Sequence, residues 1–131
     1  RRTLSEIERD YYDVIIINYA NADMVGHTGV LEATIEAIKV LDECLRRVVE
    51  VVLQKDGLVM ITADHGNAEK MACETGPFTA HTLNQVPFIM VGEKYVGKKL
   101  RNGGSLQDIA PTLLKSLGIV KPVEMTGTSL I

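Results

Sequence analysis

The chain has 131 residues, a length that fits one domain or part of one. Its formal net charge of −3 and isoelectric point near 5.6 leave no basic stripe to neutralise phosphates, which argues against a nucleic-acid partner. No apolar run reaches the ~18 residues of a membrane span, and no secretory signal pattern is present.

The chain opens Arg1-Arg2-Thr3 without an initiator methionine, and residues 4–9 read as the end of a helix. That opening is expected of a piece of a longer protein, so the chain is read as a single partial domain over residues 1–131. Residues 13–18 contain Val14-Ile15-Ile16-Ile17, short, β-branched and without alternation. This pattern predicts a strand buried on both faces, as in a parallel sheet. A polar break with glycines follows, from Asn18 to Gly29.

Leu31, Ile35, Ile38, Leu41, Leu45, Val48 and Val52 then recur at three- and four-residue spacing, predicting an amphipathic helix over about residues 29–55. Glu32 and Glu36 fall early and Arg46 and Arg47 late, which complements the helix dipole. Asp56-Gly57 supplies the stop. Cys44 falls on the apolar side of this helix and reads as a small buried hydrophobe, while Cys73 lies in a polar loop. The two form no metal or disulfide motif and suit a reducing, cytoplasmic setting.

Residues 58–63 predict a second apolar strand that runs into Asp64-His65-Gly66. Residues 66–86 form a polar loop, long enough to carry function. Residues 86–91 predict a third strand, with Pro87 at its start or at a sheet edge, and residues 93–101 a small hairpin. Ser105 caps a final helix, with Asp108 completing a capping box, Pro111 bending the helix and Gly118 ending it. The order of elements predicts an α/β fold with a mostly parallel sheet flanked by helices.

All three histidines lie in the polar breaks, beside a carboxylate or glycine. In an open α/β sheet, groups gather outside the carboxyl ends of the strands. Asp23 and His27 follow the first strand, Asp64 and His65 the second, and His81 lies on the loop that can fold back. Asp23 and His27 are four apart, so one helical turn presents them on one face. Each pair alone is more often a cap or a turn than a ligand; their joint occurrence at strand ends points to a divalent cation. Imidazole with carboxylate suits zinc, manganese or iron better than calcium. Five donors exceed the needs of one catalytic ion and fall short of two filled sites. Asn67 and Glu69 are expected to orient the ligating imidazoles by hydrogen bonds.

The strings Asn18-Tyr19-Ala20-Asn21-Ala22-Asp23-Met24-Val25-Gly26-His27-Thr28-Gly29 and Thr62-Ala63-Asp64-His65-Gly66-Asn67-Ala68-Glu69 closely resemble the cofactor-independent phosphoglycerate mutases. So does Pro77-Phe78-Thr79-Ala80-His81-Thr82. The stretch Leu106-Gln107-Asp108-Ile109-Ala110-Pro111-Thr112-Leu113-Leu114 is similar to a segment found across the alkaline phosphatase superfamily. Ala22 departs from the Pro or Gly of many relatives, which touches turn rigidity rather than ligation.

The resemblance implies the C-terminal part of a phosphatase-like domain, in an enzyme of glycolysis with two divalent ions, manganese by preference with zinc, cobalt or iron as alternatives. Asp23, His27 and His81 would hold one ion, and Asp64 and His65 the other, with an Asp and a nucleophilic Ser from an N-terminal part. The enzyme would interconvert 3-phosphoglycerate and 2-phosphoglycerate, small phosphorylated three-carbon acids, through a phosphoserine. This chain has no counterpart of that Ser motif, so no residue here is assigned as catalytic and the chain alone is expected to be inactive. A different phosphomutase or phosphatase of the superfamily and a non-catalytic metal-binding module are the alternatives. The both-face apolar strand is expected to leave an open sheet edge and drive self-association.

Overall fold

The structure, a computed structural model, describes residues 2–131; of the span 1–131, Arg1 lies outside the described residues. The chain divides into two compact units, one ending at Tyr95 and the other running Val96–Ile131. In the first unit, helix α1 (Arg2–Glu8) and the short helix α2 (Asn21–Gly26) both pack on the long helix α3 (Leu31–Leu53). Ile7 of α1 and Val48 of α3 are buried. α3 ends as the Asp56-Gly57 pair predicts: Asp56 takes a left-handed φ of 54° and the Gly57 N–H caps the Val52 carbonyl at 3.0 Å.

Strand β1 (Val59–Thr62) pairs with β4 (Phe88–Val91), in the register Val59↔Val91 through Thr62↔Phe88. Pro87 precedes the strand, where its missing N–H costs no ladder bond. The pairing is antiparallel, which corrects the expectation of a mostly parallel sheet for the strands this chain pairs. The reason is connectivity: residues 63–87 form a long hairpin loop that returns to the end from which it left, and no crossover helix intervenes. Inside that loop a two-residue hairpin joins β2 (Ala72–Cys73) to β3 (Gly76–Pro77). The bridge Gly66↔Thr82 pins the loop's two arms together.

Residues 14–17 are apolar as read, but they are not in a ladder. Ile16 is 89 % exposed. Apolar content registers a need for burial and not the presence of a partner, and none of the described residues pairs with this segment.

In the second unit, the 3₁₀ turn Leu106–Asp108 leads into α4 (Ile109–Ser116). The capping box between Ser105 and Asp108 is present. Asp108 also accepts from Arg101 Nη2 at 2.9 Å and from the Thr128 N–H at 2.7 Å, tying the C-terminal tail to the turn. These donors hold its carboxyl below the usual carboxylate range, the Thr128 N–H foremost. Pro111 is buried in the first turn of α4, where its missing N–H has no intrahelical partner to lose, so it starts the helix rather than bending it. Gly118, with φ of 72°, ends it. The expected hairpin over residues 93–101 is a 3₁₀ turn at Glu93–Tyr95 followed by irregular chain. Gly97, with φ of 73°, takes the chain out of extended conformation in the middle of that span.

Candidate metal centre

Three segments of the first unit meet at one point. Helix α2 carries Asp23, and His27 is its C-terminal cap residue, one turn on. The turn after β1 carries Asp64 and His65, and the returning arm of the loop carries His81. The antiparallel β1–β4 pair brings both arms of the loop to the same end, so His65 and His81 meet through hairpin closure rather than through a shared parallel edge.

The central atom is Asp23 Oδ1. It lies 3.2 Å from His27 Nε2, 3.3 Å from His81 Nε2 and 3.9 Å from His65 Nε2. His27 Nε2 and His81 Nε2 are 3.1 Å apart. Donor atoms bound to one transition-metal ion at about 2.1 Å lie roughly 3.0–3.4 Å from one another in octahedral or tetrahedral arrangements. The Asp23, His27 and His81 triangle has edges of that length. The His65 and His81 rings stack at 3.7 Å between centroids, and Asp23, His65 and His81 also form a wider group with donor atoms within 4.8 Å. The edges of the Asp23, His27 and His81 triangle match ligand spacing around a single ion more closely than those of this wider group.

Hydrogen bonds set which atoms face the centre. His27 Nδ1 is 2.6 Å from the Thr79 carbonyl, which can only accept, so Nδ1 carries a proton and Nε2 faces the centre. His65 Nδ1 donates in the same way to the Gly66 carbonyl at 3.3 Å. His27 Nε2, His81 Nε2 and Asp23 Oδ1 thus face one another across about 3 Å, a spacing that a shared cation or proton satisfies. The donor set is imidazole and carboxylate without thiolate, and it fits manganese, zinc, cobalt or iron.

Asp64 stands apart from the triangle. Its side chain is 87 % exposed, and its Oδ1 lies 3.7 Å from His65 Nε2. The five expected ligands therefore gather as four converging groups with Asp64 at the rim beside His65.

Asn67 is buried and donates from Nδ2 to Asp23 Oδ1 at 3.1 Å. It contacts the carboxylate rather than orienting an imidazole alone; His27 Nε2 lies 3.5 Å away. A Cβ at Gly26 would overlap Asn67 Oδ1, so only glycine there lets α2 approach this amide. Among the described residues Glu69 makes no hydrogen bond to an imidazole. Its Oε2 accepts the Asn67 N–H at 2.6 Å, and its Oε1 accepts the Thr82 hydroxyl and, at 2.9 Å, Asn84 Nδ2. These bonds, that from Thr82 first, hold its carboxyl down to about 2.

Sequence reading did not single out Gly26, Thr79, Thr82 or Asn84. Thr79 acts through its carbonyl and so leaves no side-chain signal. A glycine directly before a histidine was the available sign for Gly26.

Comparison with known proteins agrees with this chemistry. The chain is 58 % identical over 129 residues to the 2,3-bisphosphoglycerate-independent phosphoglycerate mutase of Desulforudis audaxviator, covering 98 % of this chain and 25 % of that protein. It is 53 % identical over 132 residues to the Pseudomonas putida protein of the same name, covering 99 % and 25 %. The chain thus spans about a quarter of the length of these relatives. A crystal structure of Leishmania mexicana phosphoglycerate mutase at low cobalt concentration superposes with a TM-score of 0.88 at 32 % identity, over 98 % of this chain and 26 % of that one. That match places the chain's helices and small sheets in a partial α/β domain. The metalloenzyme superfamily matches residues 1–121, nearly the whole chain, and the chain belongs to that superfamily.

Proposed function

We propose that this chain is the metal-binding portion of a phosphoglycerate mutase, part of one phosphatase-like domain, that interconverts 3-phosphoglycerate and 2-phosphoglycerate in cytoplasmic glycolysis. Asp23, His27 and His81 are the ligands of one divalent ion. Asp64 and His65 contribute to a second, completed by groups outside this chain. Asn67 and Glu69 support the ligands. The bound ions supply Lewis acidity toward phosphoryl oxygens and lower the pKa of a hydroxyl nucleophile. No residue of this chain is assigned as that nucleophile, and the chain alone is proposed to be inactive. Manganese is the proposed ion, with zinc, cobalt and iron admitted by the same donors.

The observation that carries this reading is the triangle of Asp23 Oδ1, His27 Nε2 and His81 Nε2, with edges of 3.1–3.3 Å. The relatives' names supply the reaction class. With three ligands at one site and two at the other, calorimetry with manganese is expected to give one tight ion per chain. At a hundred times its dissociation constant that ion stabilises the fold by about 2.7 kcal/mol. Two equally tight ions contradict the division of ligands. An assay of the longer protein that contains this sequence tests the reaction, and phosphate release without isomerisation favours a phosphatase instead. No helix among the described residues is long and apolar enough to cross a membrane.

A further inference from the structure

The His81 arm of the loop is held near Asp23 by a few polar ties rather than by a strand or a buried apolar contact. Around it, Leu83 is fully exposed, and the residues just before β4 lie outside any ladder. The Thr82 N–H donates to the Gly66 carbonyl at 2.8 Å. The Thr79 carbonyl on the same arm accepts from His27 Nδ1 at 2.6 Å, and the His81 ring stacks on His65. The other side-chain ties converge on one group: the Glu69 carboxylate accepts from the Thr82 hydroxyl and Asn84 Nδ2 on the His81 arm, and from the Asn67 N–H on the His65 arm. The Asn67 side chain continues the path to Asp23 Oδ1 at 3.1 Å. A Cβ at Gly66 would overlap both Thr82 Oγ1 and Glu69 Oε1, so glycine at 66 is the condition for the arms to close.

We propose that Glu69 and Thr82 are positioning residues that clamp the two arms of the loop together and so set His81 against Asp23 at ligand spacing. This rests on the cation site proposed above, and it adds what controls that site's affinity. Neither side chain belongs to the Asp23, His27 and His81 triangle. Their effect passes through the backbone of residue 82, next to His81, and through Asn67. Without the clamp, the ordering cost of the His81 arm falls on cation binding, and supporting shells of this kind carry about 10–100-fold in affinity.

The test uses the whole chain as wild type, Glu69→Gln, Thr82→Val and Thr82→Ser. Glu69→Gln keeps the size but replaces one accepting oxygen by a donor, Thr82→Val removes the hydroxyl isosterically, and Thr82→Ser restores it. In the metal-free chain, proton NMR reads the stacked His65–His81 contact. Glu69→Gln and Thr82→Val should lose that cross-peak and Thr82→Ser should keep it. In cobalt(II) titrations the first two should bind at least tenfold more weakly with an altered visible band, and Thr82→Ser within about twofold of wild type.

Variants that keep both the cross-peak and wild-type affinity overturn the proposal, as does loss of the cross-peak with unchanged affinity. If Glu69→Gln fails to fold, the Thr82 pair decides alone. A wild-type chain that takes up no cation, while the variants still lose the contact, sinks the metal reading and leaves the clamp standing.

Discussion

At the scale of single residues, the centre depends on groups whose protons are fixed by their other partners. The Thr79 carbonyl fixes the proton of His27, and the Gly66 carbonyl does the same for His65. Glu69 is the converse case, a carboxylate surrounded only by donors. Its folded carboxyl is held down to about 2, against about 4.3 in an unfolded chain. A depressed folded pKa contributes stability above the unfolded value, and that contribution disappears as pH falls through the folded one. The melting temperature of metal-free wild type should therefore exceed that of Glu69→Gln by a constant margin above about pH 5. The margin should shrink progressively between about pH 4.5 and pH 2. Melts followed by circular dichroism across that range check it, and a margin that does not vary with pH contradicts the charge-assisted clamp.

At the scale of elements, the tail of the second unit is held by buried polar groups. Thr112 on α4 is fully buried; its hydroxyl donates to the Asp108 carbonyl at 2.6 Å and accepts the Leu130 N–H at 2.9 Å. Thr112→Val keeps the volume but leaves the Leu130 N–H without its partner, which costs about 1–3 kcal/mol. Thr112→Ser keeps the hydroxyl and should cost less. Urea unfolding of the two variants tests the ranking, and a Val variant as stable as wild type removes the hydroxyl from the account. Much at this scale was legible in the sequence. The three- and four-residue spacing from Leu31 to Val52 marks α3, Asp56-Gly57 its end, and Ser105 with Asp108 the capping box, because these signals are local. Strand direction was not legible. The apolar runs at residues 58–63 and 86–91 read the same in either orientation, and only the closure of the loop between them makes the pair antiparallel. The convergence of Asp23, His27, His65 and His81 was legible only in their joint occurrence after apolar runs, since each pair alone reads as a cap or a turn; the position of Asp64 at the rim was not. The clamp at Thr82 and Asn84 was not, because its partners lie more than ten residues away along the chain.

At the scale of the whole molecule, the surface decides what the chain does in solution. Its accessible area is 9500 Å². Much of what is uncovered is apolar: Val14, Ile15, Ile16 and Ile17 are all exposed, and so are Leu31, Ile35 and Ile38 on α3. Residues 14–17 also offer backbone N–H and C=O groups that no strand among the described residues takes up, which makes them a template for pairing with another chain. We propose that the isolated chain self-associates through this segment. Sedimentation velocity should find dimers or larger species growing with concentration. Ile16→Lys places a charge where the side chain is 89 % exposed and should shift the population toward monomer without loss of helix content. Its folded state should otherwise be unaffected, since Ile16 contributes almost no burial within one chain. A wild-type chain that stays monomeric at high concentration contradicts the pairing role of residues 14–17. Association that Ile16→Lys leaves unchanged moves the contact to the exposed face of α3.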